Sequence, residues 1–432
     1  MKLMRIVGAF ILIITSSIYA ESITVHAQQY GKIELAVVVI GTEYKELARV
    51  ANQIRRDLQF TQQFDVQLLR QSHVARKTDV QRIASKGHAL AIFLQETADK
   101  KGIEWRLYDT HNVVMLTGKR YHKRGPVMRG WAHNIVDQIW PELTRQEGFF
   151  STKIAYCKKM RHGRKMHQYI CIADYNGSHE QILVSGNMAT VGPRWNTDVT
   201  KPLLFYSAYT PSNLRLIAID MNKQQKVASN FDGINMLTSF SKDGKKVVYC
   251  ASRGSGGCDL YYYEKGIFKR LTNNNGNNVS PSLSDDGSCM VFCSDFQTGN
   301  PQIYMYDMET GDTKRLTKGG YCACPSYCQK NNMIAYTKLI QGEMQLFIYD
   351  MAKDMHQQIS FGPGSKQECC WSPCGNYVLF GIEHGNKSRI AMCNIVDHTT
   401  RYITPASGYC TYPSWSGIYS EFPVVQPPHK VT

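Results

Sequence analysis

The seven residues PSLSDDG at 281–287 return five more times along this chain in altered form. PRWNTDV starts at Pro193, TSFSKDG at Thr238, PSYCQKN at Pro325, CCWSPCG at Cys369 and PSWSG at Pro413. Their third residues, Trp195, Phe240, Leu283, Tyr327, Trp371 and Trp415, stand 45, 43, 44, 44 and 44 positions apart. A fixed period in the low forties marks a repeat architecture, most often a four-stranded propeller blade.

Each period carries the same parts. After the turn comes an apolar run: Leu204 to Ser207, Val247 to Cys250, Met290 to Cys293, Ile334 to Thr337 and Val378 to Gly381. A third run ends in an acid at Asp220, Glu264, Asp307 and Asp350, and a fourth reads KRLT at 269 and at 314, QQIS at 357 and RYIT at 401. Short runs rich in Val, Ile, Tyr and Phe between Gly, Asn and Asp are strands. Asp-Gly at 243 and at 286 supplies the positive φ of a tight turn. One period therefore reads as an antiparallel meander of strands a, b, c and d.

The array is offset by one strand. Strands b, c and d (Ile154 to Cys157, Tyr169 to Asp174, Glu180 to Ser185) precede the first a-strand, and the last a-strand, at 413–416, has only a tail behind it. Pairing that strand with the first set closes a ring and removes an exposed edge. The expected fold is two-domain: an N-terminal α/β domain at 21–147, then a six-bladed β-propeller at 148–432 whose first blade is completed by 413–416. An open two-sheet sandwich leaves both the even period and the offset unexplained.

Residues 1–20 differ in kind. Lys2 and Arg5 precede an apolar run from Ile6 to Ile14, followed by Ser16, Ser17 and Ala20. That pattern is a signal peptide cut after Ala20, too short for an ordinary span of about 20 residues. The expectation is a periplasmic chain starting at Glu21 and not membrane-spanning. From there to 147 the repeat is absent. Ile33 to Ile40 reads as a buried strand, and Leu47, Val50, Ala51, Ile54 and Leu58 share one helical face. Val66 to Leu69, Ala89 to Leu94, Ile103 to Tyr108 and Val113 to Thr117 read as further strands. Pro126 suits the first turn of a helix carrying Trp131, Ile135 and Ile139 inward, which Pro141 should kink or end.

The net charge of +15 is spread along the chain, with one dense cluster, KKMRHGRK at 158–165. It reads as a solvated hairpin between strands b and c, or as a site for an anionic partner such as lipid headgroups or an acidic protein face. Export excludes nucleic acid as a partner. Most of the fourteen cysteines lie in the repeats. Cys250 and Cys258 flank one b–c hairpin and could bridge across it, whereas Cys157, Cys250 and Cys293 occupy equivalent strand positions as small core residues. No G-x-S-x-G, H-E-x-x-H or phosphate-loop pattern occurs, and the histidines lack ligand spacing. The expectation is no catalytic residues, no metal and no cofactor.

A signal peptide, a small α/β domain and six repeats of the form P-x-W-S-x-D-G, then I-Y-x-x-D, then R-x-L-T resemble the TolB family, the periplasmic component of the Tol–Pal envelope system. WAHNIVDQIW at 131, FFSTKIAYC at 149, IADYNGSHE at 172 and the terminal PSWSG share in the resemblance. It implies a non-enzymatic adaptor whose propeller binds the peptidoglycan-associated lipoprotein Pal at the channel mouth, and other outer-membrane lipoproteins are further candidates. It also implies that a TolA-like inner-membrane protein takes the N-terminal segment as an added strand. Here that segment is Ser22, Ile23, Thr24, Val25, His26 and Ala27, whose alternation suits strand addition. The same residues also suit a first strand of the α/β domain.

The expected lipoprotein contacts are the d–a loop residues Asn235, Asn277, Asn278, Tyr321, Lys366 and Tyr409. The equivalent positions Thr190, Asn235, Asn278, Cys322, Lys366 and Cys410 form a polar ring without carboxylate or histidine, which favours protein recognition. The other function class is a periplasmic propeller that binds a small ligand or glycan in its channel, with or without catalysis.

Overall fold

The computed structural model describes residues 31–418, apart from 42–44, 74, 99–101, 123–127, 187–188, 199 and 253–256. The expected signal peptide, its cleavage site, the segment Ser22 to Ala27 and Pro126 lie outside the described residues.

The N-terminal part begins with β1 (Ile33–Ile40), α1 (Lys45–Phe60), β2 (Phe64–Gln71), α2 (Lys77–Ala84) and β3 (Leu90–Glu96). It continues through β4 (Gly102–Asp109), β5 (Val114–His122) and α3 (Met128–Thr144). The sheet order is β2-β1-β3-β4-β5, with β1 parallel to β2 and β3, and the β3–β4–β5 edge antiparallel. β1 is apolar almost throughout because both its faces are covered. Leu47, Val50, Ala51, Ile54 and Leu58 of α1 are buried against it, as their spacing predicts.

Pro141, expected to kink or end its helix, lies inside α3, which runs on to Thr144. Trp140 and Leu143 on either side are 1% and 2% exposed, so their burial offsets the roughly 3 kcal/mol that a helical proline costs. The helix α2 was not foreseen. It shows only Val80 and Ile83 as apolar buried residues and is started by the Asp79 carboxylate, which accepts the Arg76 N–H at 3.0 Å.

After α3 the described elements are strands, apart from one 3-10 turn at Gln329–Asn331. β6 (Lys153–His162), β7 (Lys165–Asp174) and β8 (Gln181–Gly186) form a meander. Four further four-stranded antiparallel sheets or meanders follow, and the strand set 365–402 joins β6–β8 in one eight-stranded sheet through the strand Tyr409–Trp415. That joint is a single parallel rung, Ser388↔Tyr409, on one side. On the other side Tyr409–Trp415 pairs antiparallel with β6 from Tyr409↔Lys159 to Trp415↔Ile154. The last strand is thus the a-strand of the β6–β8 set.

The repeat motifs have physical roles. In S-x-D-G, the Ser284 hydroxyl donates to Asp286 at 2.7 Å and accepts from the Cys289 N–H, while Asp286 accepts from the Ser288 N–H. Ser241 and Asp243 repeat this geometry. In L-T, Thr272, Thr317, Ser360 and Thr404 each accept the N–H of a c-strand residue, namely Leu260, Ile303, Leu346 and Ile390. The strand-ending acids Asp307 and Asp350 accept two turn N–H groups each. Every one of these side chains satisfies a backbone donor that the ladder leaves open.

All fourteen cysteines carry free thiols. Cys250 and Cys258 are not directly opposite across their hairpin, since Cys250 pairs with Leu260 and Cys258 with Ser252, but their thiols meet on the diagonal in a hydrogen bond. Cys157, Cys250 and Cys293 are core residues, and each thiol donates to the carbonyl of Thr190, Asn278 or Cys322 on the next a-strand. Ser207 does the same to Asn235 at the equivalent place, so a small donor, not a disulfide, is what the position selects. Burial pushes the Cys157 and Cys293 thiols up to about 12, which leaves them inert.

Candidate functional site

The a-strands are Thr190–Trp195, Asn235–Phe240, Asn278–Leu283, Cys322–Cys328, Ser365–Trp371 and Tyr409–Trp415. Each contacts the next, and the last contacts the first. Each also breaks register with its b-strand once, between residues such as Met236 and Ser239 or Val279 and Ser282. At the break stands a residue with positive φ: Gly192, Leu237, Ser280, Cys324, Glu368 and Tyr412, at 51° to 62°. Five of the six are not glycine, so the bulge is imposed by the surrounding packing and not by local preference. The bulge turns N–H groups toward the neighbouring strand. Ser239 accepts from Leu283 at 2.8 Å, Ser282 from Tyr327 at 2.9 Å and Ser414 from Trp195 at 3.1 Å. This explains the serine of P-S in the repeat.

Leu237, Ser280, Cys324 and Glu368 from these breaks line a central cavity of about 860 Å³ together with Arg194. The Arg194 guanidinium stands 3.3 Å from the Glu368 carboxylate, and the Cys324 thiol lies 3.7 Å from its other oxygen. Sequence reasoning missed Glu368 because it placed the axial ring two residues too early, and missed Arg194, which stands two residues past the bulge at Gly192. Among the described residues no group of three or more His, Cys, Asp or Glu is arranged to hold a metal ion. The cavity opens toward the a–b turns, where Asp198, Lys242, Asp243, Asp285 and Lys330 gather.

At the opposite mouth the d–a loop residues divide into two groups. Asn235, Asn278 and Lys366 are 0%, 0% and 2% exposed, so the expectation that they contact a partner is corrected. The Asn235 amide donates to the carbonyls of Leu214 and Phe231 and accepts from the Phe231 N–H and Ser229. Asn278 donates to Asp259 and Asn274 and accepts from Ser294 at 2.8 Å. Lys366 donates to the carbonyls of Gly362 and Pro363, and burial holds its ammonium below the usual lysine range. All three pin the loop from inside. The rest of the equivalent ring, Thr190, Cys322 and Cys410, is buried too.

Asn277, Tyr321 and Tyr409 remain accessible. Asn277 is held by Asp295 through its backbone N–H at 2.7 Å. Tyr321 is 41% exposed. The Tyr409 hydroxyl donates to Glu383 at 2.7 Å, with the Lys159 ammonium 5.2 Å from its ring centre. Burial and the Glu383 carboxylate push that hydroxyl up to about 12, so it stays a donor. Lys159, Glu383, Gln367 and Tyr409 together line a smaller cavity of about 230 Å³.

The division is testable by stability. Asn278→Ala is expected to cost about 1–3 kcal/mol, because several buried polar groups lose their partner. Asn277→Ala is expected to stay within about 0.5 kcal/mol. Urea unfolding of the two variants measures this, and equal losses would contradict the assignment.

Among the described residues no helix is long and apolar enough to cross a membrane. The chain is 31% identical over 162 residues to the Tol-Pal system protein TolB of Gluconobacter oxydans, a match covering 37% of this chain and 35% of that protein. It is 32% identical over 151 residues to the Tol-Pal system protein TolB of Rickettsia prowazekii, covering 34% and 33%. The chain thus spans about a third of the length of the curated relatives it matches. The crystal structure of TolB from Acinetobacter baumannii superposes with a TM-score of 0.72 at 23% identity, over 90% of this chain and 98% of that one, which establishes a shared fold. Residues 140–419 match the family model described as the TolB beta propeller domain, so the chain belongs to the TolB β-propeller family.

Proposed function

We propose that this chain is a non-enzymatic periplasmic adaptor of the Tol–Pal system. In this reading a signal peptide is removed after Ala20, and an α/β domain at 21–147 precedes a six-bladed propeller at 148–432. The strand at 413–416 closes the ring, a reading supported by its pairing with β6 and by the contact of last and first a-strands. The d–a mouth takes a Pal-like lipoprotein, and Ser22 to Ala27 engages a TolA-like inner-membrane protein by strand addition. The biological outcome is support of outer-membrane integrity and of envelope constriction during division. The same route serves imported proteins.

The observation that carries the reading is a pair of tyrosines, Tyr321 and Tyr409, presented at one mouth, where Gln302 donates to the Gly320 carbonyl behind Tyr321 and the Tyr409 hydroxyl donates to Glu383. Rigid aromatic area with a polar tip is what interface hot spots use. Capture from detergent-solubilised envelopes is expected to recover an outer-membrane lipoprotein with the wild-type chain. Recovery of none would overturn the proposal.

A second reading rests on the Arg194–Glu368 pair in the central cavity, which provides one cation and one carboxylate to a small polar or glycan ligand. A ligand there would protect the wild type against thermal unfolding and leave Arg194→Ala unprotected. The mouth tyrosines would not matter to it.

A further inference from the structure

The β6–β7 hairpin outgrows its sheet. The two strands pair over ten rungs, from Lys153↔Asp174 to His162↔Lys165. The five equivalent hairpins pair over six to eight. Among the described residues the neighbours stop short of the tip: Tyr409–Trp415 pairs β6 no further than Lys159, and β8 pairs β7 no further than Gln168. Among the described residues no third strand pairs with the rungs Met160↔His167, Arg161↔Met166 and His162↔Lys165, which with the turn Gly163-Arg164 project as a two-stranded arm of roughly 10 Å.

The chemistry of the arm is uniform. At its root Lys158 pairs with Glu180 at 2.6 Å, and Lys159 lies over the Tyr409 ring. Further out Arg161, Arg164 and Lys165 are exposed, and among the described residues no carboxylate pairs with them. Met166, between these cations, is 61% exposed. A two-stranded ribbon with no third strand is marginal in water, so nothing within this fold accounts for extending it. A projecting tip of two arginines, a lysine and a methionine offers charge and one flexible apolar side chain. It has no concavity with which to read the shape of a protein partner. A fluid anionic surface asks for just this: guanidinium forks for phosphate, and an apolar group that enters the headgroup layer.

We propose that this arm docks on a bilayer bearing anionic phospholipid headgroups, with Arg161, Arg164 and Lys165 on the phosphates and Met166 between them. The d–a mouth lies at the same end of the sheets, so docking would hold that mouth toward the membrane. The inference stands independently of the lipoprotein reading.

The test is co-sedimentation of the full mature chain with vesicles of phosphatidylcholine containing about one-third phosphatidylglycerol, against pure phosphatidylcholine. Binding is expected only to the anionic vesicles and is expected to weaken with added salt. The triple variant R161E/R164E/K165E is expected to lose on the order of a hundredfold in partitioning. Its melting temperature should not move, because the substituted residues lie beyond the supported sheet. Met166→Ser separates insertion from charge, and a several-fold further loss is expected. Equal binding to neutral vesicles, or an unaltered triple variant, would overturn the proposal. So would a wild-type chain that ignores both vesicles yet is retained by an immobilised acidic protein, which would assign the arm to a protein partner.

Discussion

Replacing His133 with alanine is expected to destabilise the chain by about 3–5 kcal/mol, the cost of leaving a buried carboxylate unpaired. His133 on α3 is 3% exposed and holds two parts of the molecule together. Its Nδ1 lies 2.7 Å from Asp57 of α1, and its Nε2 lies 3.7 Å from Asp174 at the end of β7. Asp57 also accepts from the Tyr175 hydroxyl and from Gln53, and Asp174 pairs with Lys153 and His179. Removing the imidazole leaves Asp57 without a cation in a site that water cannot reach. Asp57→Asn is expected to cost less, because the amide keeps the acceptor without the charge.

The same cluster sets a pH dependence. Burial by itself would lower the His133 pKa, but the Asp57 and Asp174 carboxylates outweigh it and raise it to about 9. Stability from a raised histidine is fully present below its unfolded value near 6.5 and is lost as pH climbs through about 9. Burial opposes ionisation of Asp174, yet His133 and Lys153 hold it well below the usual carboxylate range. Its contribution is present above the unfolded value of 3.8 and fades as pH falls further. Nearby Asp137 acts oppositely. Burial raises it to about 6, so the stability it allows at low pH is lost between about 4 and 6. Urea midpoints taken from pH 4 to 10 are expected to decline toward the alkaline end in the wild type and much less in His133→Ala.

Deleting everything after Ala406 is expected to abolish the cooperative unfolding transition and yield aggregates on size exclusion. The deletion removes the partner of β6 along Tyr409–Trp415, opens that edge of the β6–β8 set and breaks the one rung that joins it to the strand set 365–402. It also removes Trp415, which is 8% exposed and donates to the Thr152 hydroxyl at 2.7 Å beneath Phe149. A buried tryptophan alone is worth about 3–5 kcal/mol when truncated to alanine. A second variant, Trp415→Ala in the full chain, keeps the strand and is expected to retain a cooperative but lowered transition. An unchanged melting curve in the truncated chain would contradict strand exchange.

What the sequence revealed followed short-range rules. The strand runs, the turn acids and the apolar face of α1 are written in periods of two, of 3.6 and of forty-odd residues, each enforced by neighbouring residues. The error in the axial ring has a local cause. The bulge in each a-strand re-aims the side chains, so that Asn235, Asn278 and Lys366 turn inward while Leu237, Ser280 and Glu368 meet the cavity. No alternation pattern signals a bulge whose left-handed residue is leucine or glutamate. The motif residue Pro281, directly after Ser280, was the available mark, and its phase relative to the axis was not. The Asp57–His133–Asp174 cluster was invisible for another reason: its members lie 76 and 41 positions apart and on different elements. The basic run 158–165 was plain in the sequence, but its projection depends on where two other strands stop.

Isothermal titration of the purified mature chain with the soluble domain of a Pal-like lipoprotein tests the central proposal most directly. Saturable one-to-one binding is expected. Tyr321→Ala combined with Tyr409→Ala is expected to weaken it by about 2 kcal/mol or more while the melting temperature stays nearly fixed. Wild-type affinity in that double variant, or no heat of binding with the unaltered chain, would contradict the account.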